Sequence, residues 1–366
     1  MVIGLSKEER LRLLRTPLPD LFVKVFKKQG YRFVGRLAAY KPCHYFKTAL
    51  TDRIMCYKYW FYGIPTHRCI QWTPVLECNL NCIHCWRVHR TDVGLPPFKA
   101  DVSEIEWDDP NELIERVIEE YYRVLKGYNP EYRPKTDKEM WEDAMKGPRH
   151  LATSLDGEPL MYPYIDDLMA IAKKKGMTTF IVSNGTYPER LERMHTLPTQ
   201  LYISVYGPDY KTWLMVTRPP TREAKEVWNR FIKTLELLPS LNTRKVFRIT
   251  AVRDLNMINP EGYAKLIEIA EPDFVEVKGY SWLGYSRKRL TRDSVPSMEE
   301  IREFGKKLSE LIGYELIDEV ERARIVLLWN GKTPLRIHPL KYKNCLLYTS
   351  DAADDGESVD LGGRRI

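Results

Sequence analysis

The chain has 366 residues, 43% of them apolar, and a formal net charge of +7. That much apolar content can bury a large core as one big α/β domain or two smaller ones, which excludes disorder as the default. No apolar run reaches the roughly eighteen residues of a membrane span, and the N-terminus has no hydrophobic signal core, so a cytosolic protein is expected.

In chain order, residues 1 to 69 read as a basic, aromatic and irregular N-terminal extension, with a helix predicted over Lys7–Leu14 and cysteines at 43, 56 and 69. From there, short β-rich runs alternate with amphipathic segments. Ile70–Leu76, His150–Leu155, Thr178–Ser183, Leu201–Tyr206, Lys245–Val252 and Asp273–Gly279 are the predicted strands. Helical periodicity marks Asn111–Lys126, Tyr164–Lys175, Glu223–Leu238 and Gly262–Ala270, the first with Leu113, Val117 and Tyr121 on one face. Pro130–Lys138 reads as a charged surface loop, and residues 293 to 344 as a closing helix and strand. Six strands alternating with helices predict a parallel α/β sheet over residues 70 to 292. Periodicity does not say whether it closes into a barrel.

The final stretch, residues 345 to 366, has neither periodicity nor a helix or strand pattern. It looks like the translation of a transposon-end sequencing adapter and is set aside. It holds five acids and two arginines, so residues 1 to 344 carry +10, and it removes Cys345 from the count. A basic surface suits acidic partners but also serves solubility alone.

Six cysteines remain, in two sets of three, unlike a secreted disulfide framework. Cys78, Cys82 and Cys85 form a CxxxCxxC motif directly after a predicted strand. Three thiolates so spaced can wrap one loop around a 4Fe-4S cube and leave one iron without a protein ligand. A zinc site would need a fourth ligand such as His84, His89 or Cys69. Cys43, Cys56 and Cys69 are each separated by twelve residues, too far for a close zinc knuckle. Buried free cysteines, or zinc completed by His44 or His67, are the alternatives there.

The CxxxCxxC motif at the end of a first strand resembles the radical S-adenosylmethionine enzymes, and further segments fit. Ser154-Leu155-Asp156-Gly157-Glu158-Pro159 resembles the family's GGEP motif, with Asp156 in place of its first glycine. Ser183-Asn184-Gly185-Thr186 ends the third strand, and Ser204 lies on the fourth. The cysteine motif with Trp86-Arg87 after it and the wide triad before it is similar to the tRNA 4-demethylwyosine synthases. Pro148-Arg149-His150, Gln200 to Ser204, Val277-Lys278-Gly279-Tyr280 and Gly284-Tyr285-Ser286-Arg287 agree with that resemblance.

The resemblance implies an incomplete (β/α)6 TIM-like radical S-adenosylmethionine barrel with an N-terminal cysteine-bearing extension. It implies a reaction joining N1-methylguanosine, beside the anticodon of phenylalanine tRNA, to pyruvate, giving 4-demethylwyosine. Cys78, Cys82 and Cys85 would hold the radical-generating 4Fe-4S cluster, and Cys43, Cys56 and Cys69 an auxiliary one. Gly157, Glu158, Asn184 and Ser204 would contact S-adenosylmethionine. Lys58, two residues after the middle auxiliary cysteine, would form a Schiff base with pyruvate. After the fourth strand the family tends to read Ser-Leu-Asp-Ala-Pro, whereas this chain reads Ser204-Val205-Tyr206-Gly207-Pro208, with Asp209 close by.

Lys278 to Arg292 holds five basic residues, no acids and three aromatic ones. Phosphate neutralisation and base stacking make Lys278, Tyr280, Trp282, Arg287, Lys288 and Arg289 the expected tRNA contacts; a solvated basic cap is the bland alternative. The expected partners are tRNA and a separate electron donor such as ferredoxin or flavodoxin, with the protein a monomer. A radical enzyme acting on a peptide or small molecule, or a zinc-stabilised RNA-binding module, are the rival readings.

Overall fold

The structure is a computed structural model, and it describes residues 17–96, 98, 105–219 and 223–342. The predicted Lys7–Leu14 helix, the adapter-like tail and Cys345 lie outside the described residues.

Among the described residues, ten strands form one sheet in the order β1 to β8, then β10, then β9. Six of them are parallel: β3 (Cys69–Thr73), β4 (His150–Thr153), β5 (Thr178–Ser183), β6 (Gln200–Val205), β7 (Arg244–Ala251) and β8 (Phe274–Gly279). These are the six strands expected from the sequence, within a few residues at each end. Antiparallel strands flank them on both sides, so the curved sheet stays open, as an incomplete (β/α)6 barrel does. On one side stand β1 (Arg32–Phe33) and β2 (Ala39–Tyr40), with β2 paired to β3. On the other, β10 (Ile325–Trp329) pairs with β8 and with β9 (Glu315–Val320).

The helices follow from their sequences. After α1 (Asp20–Lys28) come α2 (His44–Asp52) and α3 (Tyr57–Tyr62), whose N-caps are Cys43 and Cys56. Helix α4 (Pro110–Lys126) starts where Asp109 accepts from the Asn111 and Glu112 amides and Pro110 needs no donor partner. It buries Leu113, Ile114, Val117, Tyr121 and Leu125. Next come α5 (Lys138–Met145), α6 (Ile165–Lys174), α7 (Pro188–Glu192), α8 (Tyr210–Thr217), α9 (Ala224–Leu237) and α10 (Pro260–Ala270). The last, α11 (Met298–Ile312), opens with a Ser297–Glu300 capping box.

Two expectations change. From residue 17 onward the N-terminal segment is not irregular, because β1 and β2 extend the sheet edge, α2 and α3 start at Cys43 and Cys56, and Cys69 opens β3. The C-terminal part supplies two strands rather than one, and then returns to α3. There the Ile337 amide donates to Tyr62 O at 2.9 Å, and Tyr59 Oη exchanges hydrogen bonds with the Tyr342 backbone. Short helices α5 and α8 escaped the periodicity because each spans little more than two turns and relies on an aspartate cap, Asp137 or Asp209.

Candidate active site

The two cysteine triads sit at opposite ends of β3. Cys69 is its first residue, and Cys78 follows its C-terminal edge by five, so about 13 Å of extended strand separates them. All six thiols are free. Among the described residues, no three His, Cys, Asp or Glu side chains converge into a site for a single metal ion.

The Cys78–Cys85 loop is stitched down from several directions. The Asn81 and Ile83 amides donate to Thr217 O and Val216 O at the end of α8, at 2.9 and 2.8 Å. Cys78 Sγ accepts from the Leu80 amide at 3.5 Å and from Asn184 Nδ2 at 3.7 Å. Such N–H···S contacts favour thiolate over thiol. Burial works the other way and raises the Cys78 and Cys82 thiols, so ligation there competes with protons.

Gly157 presses the β4 end against this loop. Its φ is +66°, and a Cβ there would stand 1.9 Å from Val75 O and 2.6 Å from Glu77 O. The Glu158 amide donates to Glu77 O at 2.9 Å. The Glu158 carboxylate, 1% exposed, accepts from Ser183 Oγ (2.8 Å) and from the Leu160 (3.0 Å) and Asn184 (2.7 Å) amides. It therefore ties the β4 end to the β5 end, and burial pushes it up to about 7. Asn184 Nδ2 also reaches Asn79 Oδ1 at 2.9 Å, bringing the third strand's end to the cysteine loop.

Asp156, where the family has glycine, accepts from Tyr31 Oη at 3.2 Å and lies 3.5 Å from Arg87 Nε, while Arg87 also donates to Ser154 O at 2.6 Å. The substitution is thus matched by partners from α1's neighbourhood and from the cysteine loop. Ser204 is buried on β6 and bonded to Tyr206. Asp209 caps α8 by accepting from the Thr212 amide at 2.8 Å, so it does not replace the missing aspartate of the fourth strand.

At the other end of β3, Cys43, Cys56 and Cys69 lie within electrostatic reach of one another and of Lys58. Burial raises all three thiols, Cys43 to about 12. Cys43 Sγ accepts from the Phe46 amide at 3.2 Å. Lys58, in the first turn of α3, reaches over the Phe180 ring with Nζ 5.5 Å from its centre.

The expected tRNA contacts divide. Arg287 and Lys288 are exposed and stack on Trp282 and Tyr285, at 4.9 and 4.6 Å from the ring centres, and Trp282 is half-buried. The other three need correction. Tyr280 is 2% exposed with its hydroxyl on Ser286 Oγ, and Lys278 points into the barrel, donating to Ala323 O. Arg289 donates to Cys85 O and Arg87 O and pairs with Asp92 at 2.9 Å. Strand parity turns Lys278 and Tyr280 inward, and the carbonyls of the cysteine loop occupy the Arg289 guanidinium.

Arg248 and Glu276 went unnoticed in the sequence, and the roles of Arg87 and Arg289 at the cysteine loop were not foreseen. The signal for the first two was present: charged residues inside β7 and β8, strands flanked on both sides by other strands, where burial of a charge demands a purpose.

Comparison with known proteins follows the same division. Residues 72–267 match the radical SAM superfamily, and residues 269–330 match the family described as wyosine base formation. The chain is 46% identical over 316 residues to the S-adenosyl-L-methionine-dependent tRNA 4-demethylwyosine synthase of Pyrococcus abyssi, covering 85% of this chain and 89% of that one. It is 36% identical to the Methanocaldococcus jannaschii synthase, covering 86% and 97%. A solved structure of TYW1 with a lysine-pyruvate adduct bound superposes with a TM-score of 0.75 at 33% identity, over 88% of this chain and 99% of that chain. A crystal structure of archaeal TYW1 gives 0.69 at 31% identity, over 86% and 98%.

Proposed function

This chain belongs to the tRNA 4-demethylwyosine synthase family of radical S-adenosylmethionine enzymes, and from that premise we propose that it condenses N1-methylguanosine of phenylalanine tRNA with pyruvate. The observation that carries this reading is the pair of thiol triads at the two ends of β3, only one of which has a lysine among its thiols.

Cys78, Cys82 and Cys85 are the residues to hold a 4Fe-4S cluster, which supplies the electron that cleaves S-adenosylmethionine to a carbon radical. Around it, Gly157 keeps the β4 end against the cysteine loop and Asn184 donates to Cys78. Glu158 orients both strand ends, and Ser204 lines the barrel wall above. Arg289 fixes the Cys85 carbonyl. These residues bind and orient the cofactor. Their shared task is to hold the reacting carbon in register with the substrate, where a misplacement of about 1 Å costs on the order of 100-fold in rate.

Cys43, Cys56 and Cys69 are assigned to a second 4Fe-4S cluster, and Lys58 to the amine that captures pyruvate as a Schiff base. The lysine-pyruvate adduct bound in TYW1 supports that role. Arg287, Lys288 and Trp282 are the tRNA contacts of choice, the first two by charge and Trp282 by stacking. A separate donor such as ferredoxin or flavodoxin reduces the enzyme, which acts as a monomer.

The test is reconstituted enzyme with S-adenosylmethionine, reductant, pyruvate and N1-methylated tRNA, followed by mass spectrometry of the nucleosides. The tricyclic base should appear, with about eight irons per chain. Cofactor cleavage without the tricyclic base would leave the radical chemistry and remove the substrate assignment. One or two zincs in place of iron would remove both.

A further inference from the structure

The barrel interior beside the wide triad holds more positive charge than its own side chains balance. Alternate residues of β7 and β8 face inward there, and the register pairs Arg248 with Glu276 and Thr250 with Lys278. Arg248 Nε lies 3.7 Å from Glu276 Oε2, and Lys278 Nζ donates to Ala323 O at 3.0 Å. Tyr62 Oη donates to Glu276 Oε1 at 2.8 Å, but Oε2 of this fully buried residue has no hydrogen-bond donor. The Cys56 thiol and the Glu276 carboxylate have the same three cations as electrostatic neighbours: Lys58, Arg248 and Lys278. Arg324 stands beyond Lys278.

Three partly buried cations stand against one fully buried carboxylate, an excess of two positive charges at one place in the interior. Partial burial strengthens their field, so the arrangement suits an anionic ligand. Ligated thiolates supply part of the balance, and a small anionic ligand supplies the rest. Phe180, Tyr202 and Val246 belong to one buried apolar cluster against which Cys56 and Cys69 pack, so large side chains wall the interior beside the thiols.

We propose that Arg248 and Lys278 form the carboxylate subsite for a short 2-oxo acid whose carbonyl faces Lys58, with Glu276 orienting Arg248. The inference rests on the assignment of Lys58 to Schiff-base formation and adds the residues that choose the co-substrate. A guanidinium can take a carboxylate through two parallel N–H donors, and the ammonium of Lys278 adds a point charge. Carbonyl compounds that lack the carboxylate leave both cations unmatched and bind poorly.

The experiment traps the adduct in anaerobically reconstituted protein. The Lys58 amine adds to the ketone carbon and water leaves, forming a C=N bond. Cyanoborohydride then delivers hydride to that carbon, a proton goes to nitrogen, and the resulting secondary amine is located on Lys58 by peptide mass spectrometry. Trapping is measured against pyruvate concentration, and against hydroxyacetone, a similar ketone with no carboxylate, in wild type, Lys278→Met, Lys278→Arg and Arg248→Lys. Circular dichroism and iron content accompany each variant.

Lys278→Met should raise the half-saturating pyruvate concentration about 10-fold or more, a loss of roughly 1.4 kcal/mol, and leave hydroxyacetone trapping unchanged. Lys278→Arg should keep most of the pyruvate response. Arg248→Lys should lose selectivity for pyruvate over hydroxyacetone, because one point charge replaces the two-pronged contact. Equal pyruvate dependence in wild type and Lys278→Met overturns the subsite while leaving Lys58 in place. Parallel loss of pyruvate and hydroxyacetone trapping in Lys278→Met overturns it too, by showing a purely structural role. Absence of any Lys58 adduct in the wild type overturns the Lys58 assignment, and the subsite falls with it.

Discussion

Gly157→Ala puts the geometry of the radical end to a quantitative test. The new methyl carbon would stand 1.9 Å from Val75 O and 2.6 Å from Glu77 O, and both of those atoms belong to backbone leading into the cysteine loop. An ordinary carbon–oxygen contact is about 3.2 Å, so strand end and loop must part by more than about 1 Å. The left-handed backbone adds about 1–2 kcal/mol for any residue with a Cβ. A displacement of that size next to Cys78 is expected to cost about 100-fold or more in cofactor cleavage, roughly 2.7 kcal/mol of barrier. The assay is formation of 5′-deoxyadenosine by anaerobically reconstituted enzyme with excess reductant, with iron content measured alongside. Gly176→Ala is the control, because Gly176 has φ +77° but nothing within 4 Å of its virtual Cβ. It should lose only the backbone contribution, a few degrees in Tm, and cleave the cofactor normally. If the two variants cleave at the same rate, the close approach of the β4 end to the loop does not matter and the argument fails.

Other expectations concern separate parts of the molecule. Arg289→Ala should abolish most cofactor cleavage and Arg289→Lys should not restore it, because one ammonium cannot span the Cys85 and Arg87 carbonyls together with Asp92; normal cleavage in the lysine variant would refute this. Arg287→Ala with Lys288→Ala should weaken tRNA binding and lower the salt slope by about 0.7–0.9 per lost phosphate contact, while leaving cleavage intact. An unchanged slope across a salt titration removes the patch from the account. Asp143 holds the C-terminal return against α5, accepting from His67 Nε2 (2.9 Å), Lys341 Nζ (2.9 Å) and Tyr342 Oη (2.8 Å). The His67 hydrogen bond, foremost among these, keeps its carboxyl well below the usual range. A depressed carboxyl contributes stability above its unfolded pKa of about 4 and loses it as pH falls further. Asp143→Asn should therefore cost about 2–4 kcal/mol in urea unfolding at pH 7, and the gap from wild type should narrow below about pH 4. A gap that is constant with pH would show that the charge is not what matters.

The sequence by itself determined the parts of this protein that depend on local spacing. The CxxxCxxC loop, the twelve-residue intervals of the wide triad, Lys58 two residues past Cys56, and six strands alternating with helices were all legible. Period and spacing are properties of contiguous residues, and chemistry that needs three thiols in one loop leaves its mark within eight positions. Even the open barrel and the reaction class followed once those motifs matched a family.

The tertiary structure alone decided what the charged residues do. Lys278 and Arg289 belong to a stretch that reads as one basic, aromatic surface, yet strand parity sends Lys278 into the barrel and the Cys85 and Arg87 carbonyls hold Arg289 beneath the cysteine loop. Arg248 and Glu276 are 28 positions apart and meet only because β7 and β8 are neighbours in register. Asp143 and Tyr342, nearly two hundred positions apart, meet only because the chain returns to α3. A buried charge takes its meaning from partners gathered across the fold, and no pattern along the chain records which partners those are.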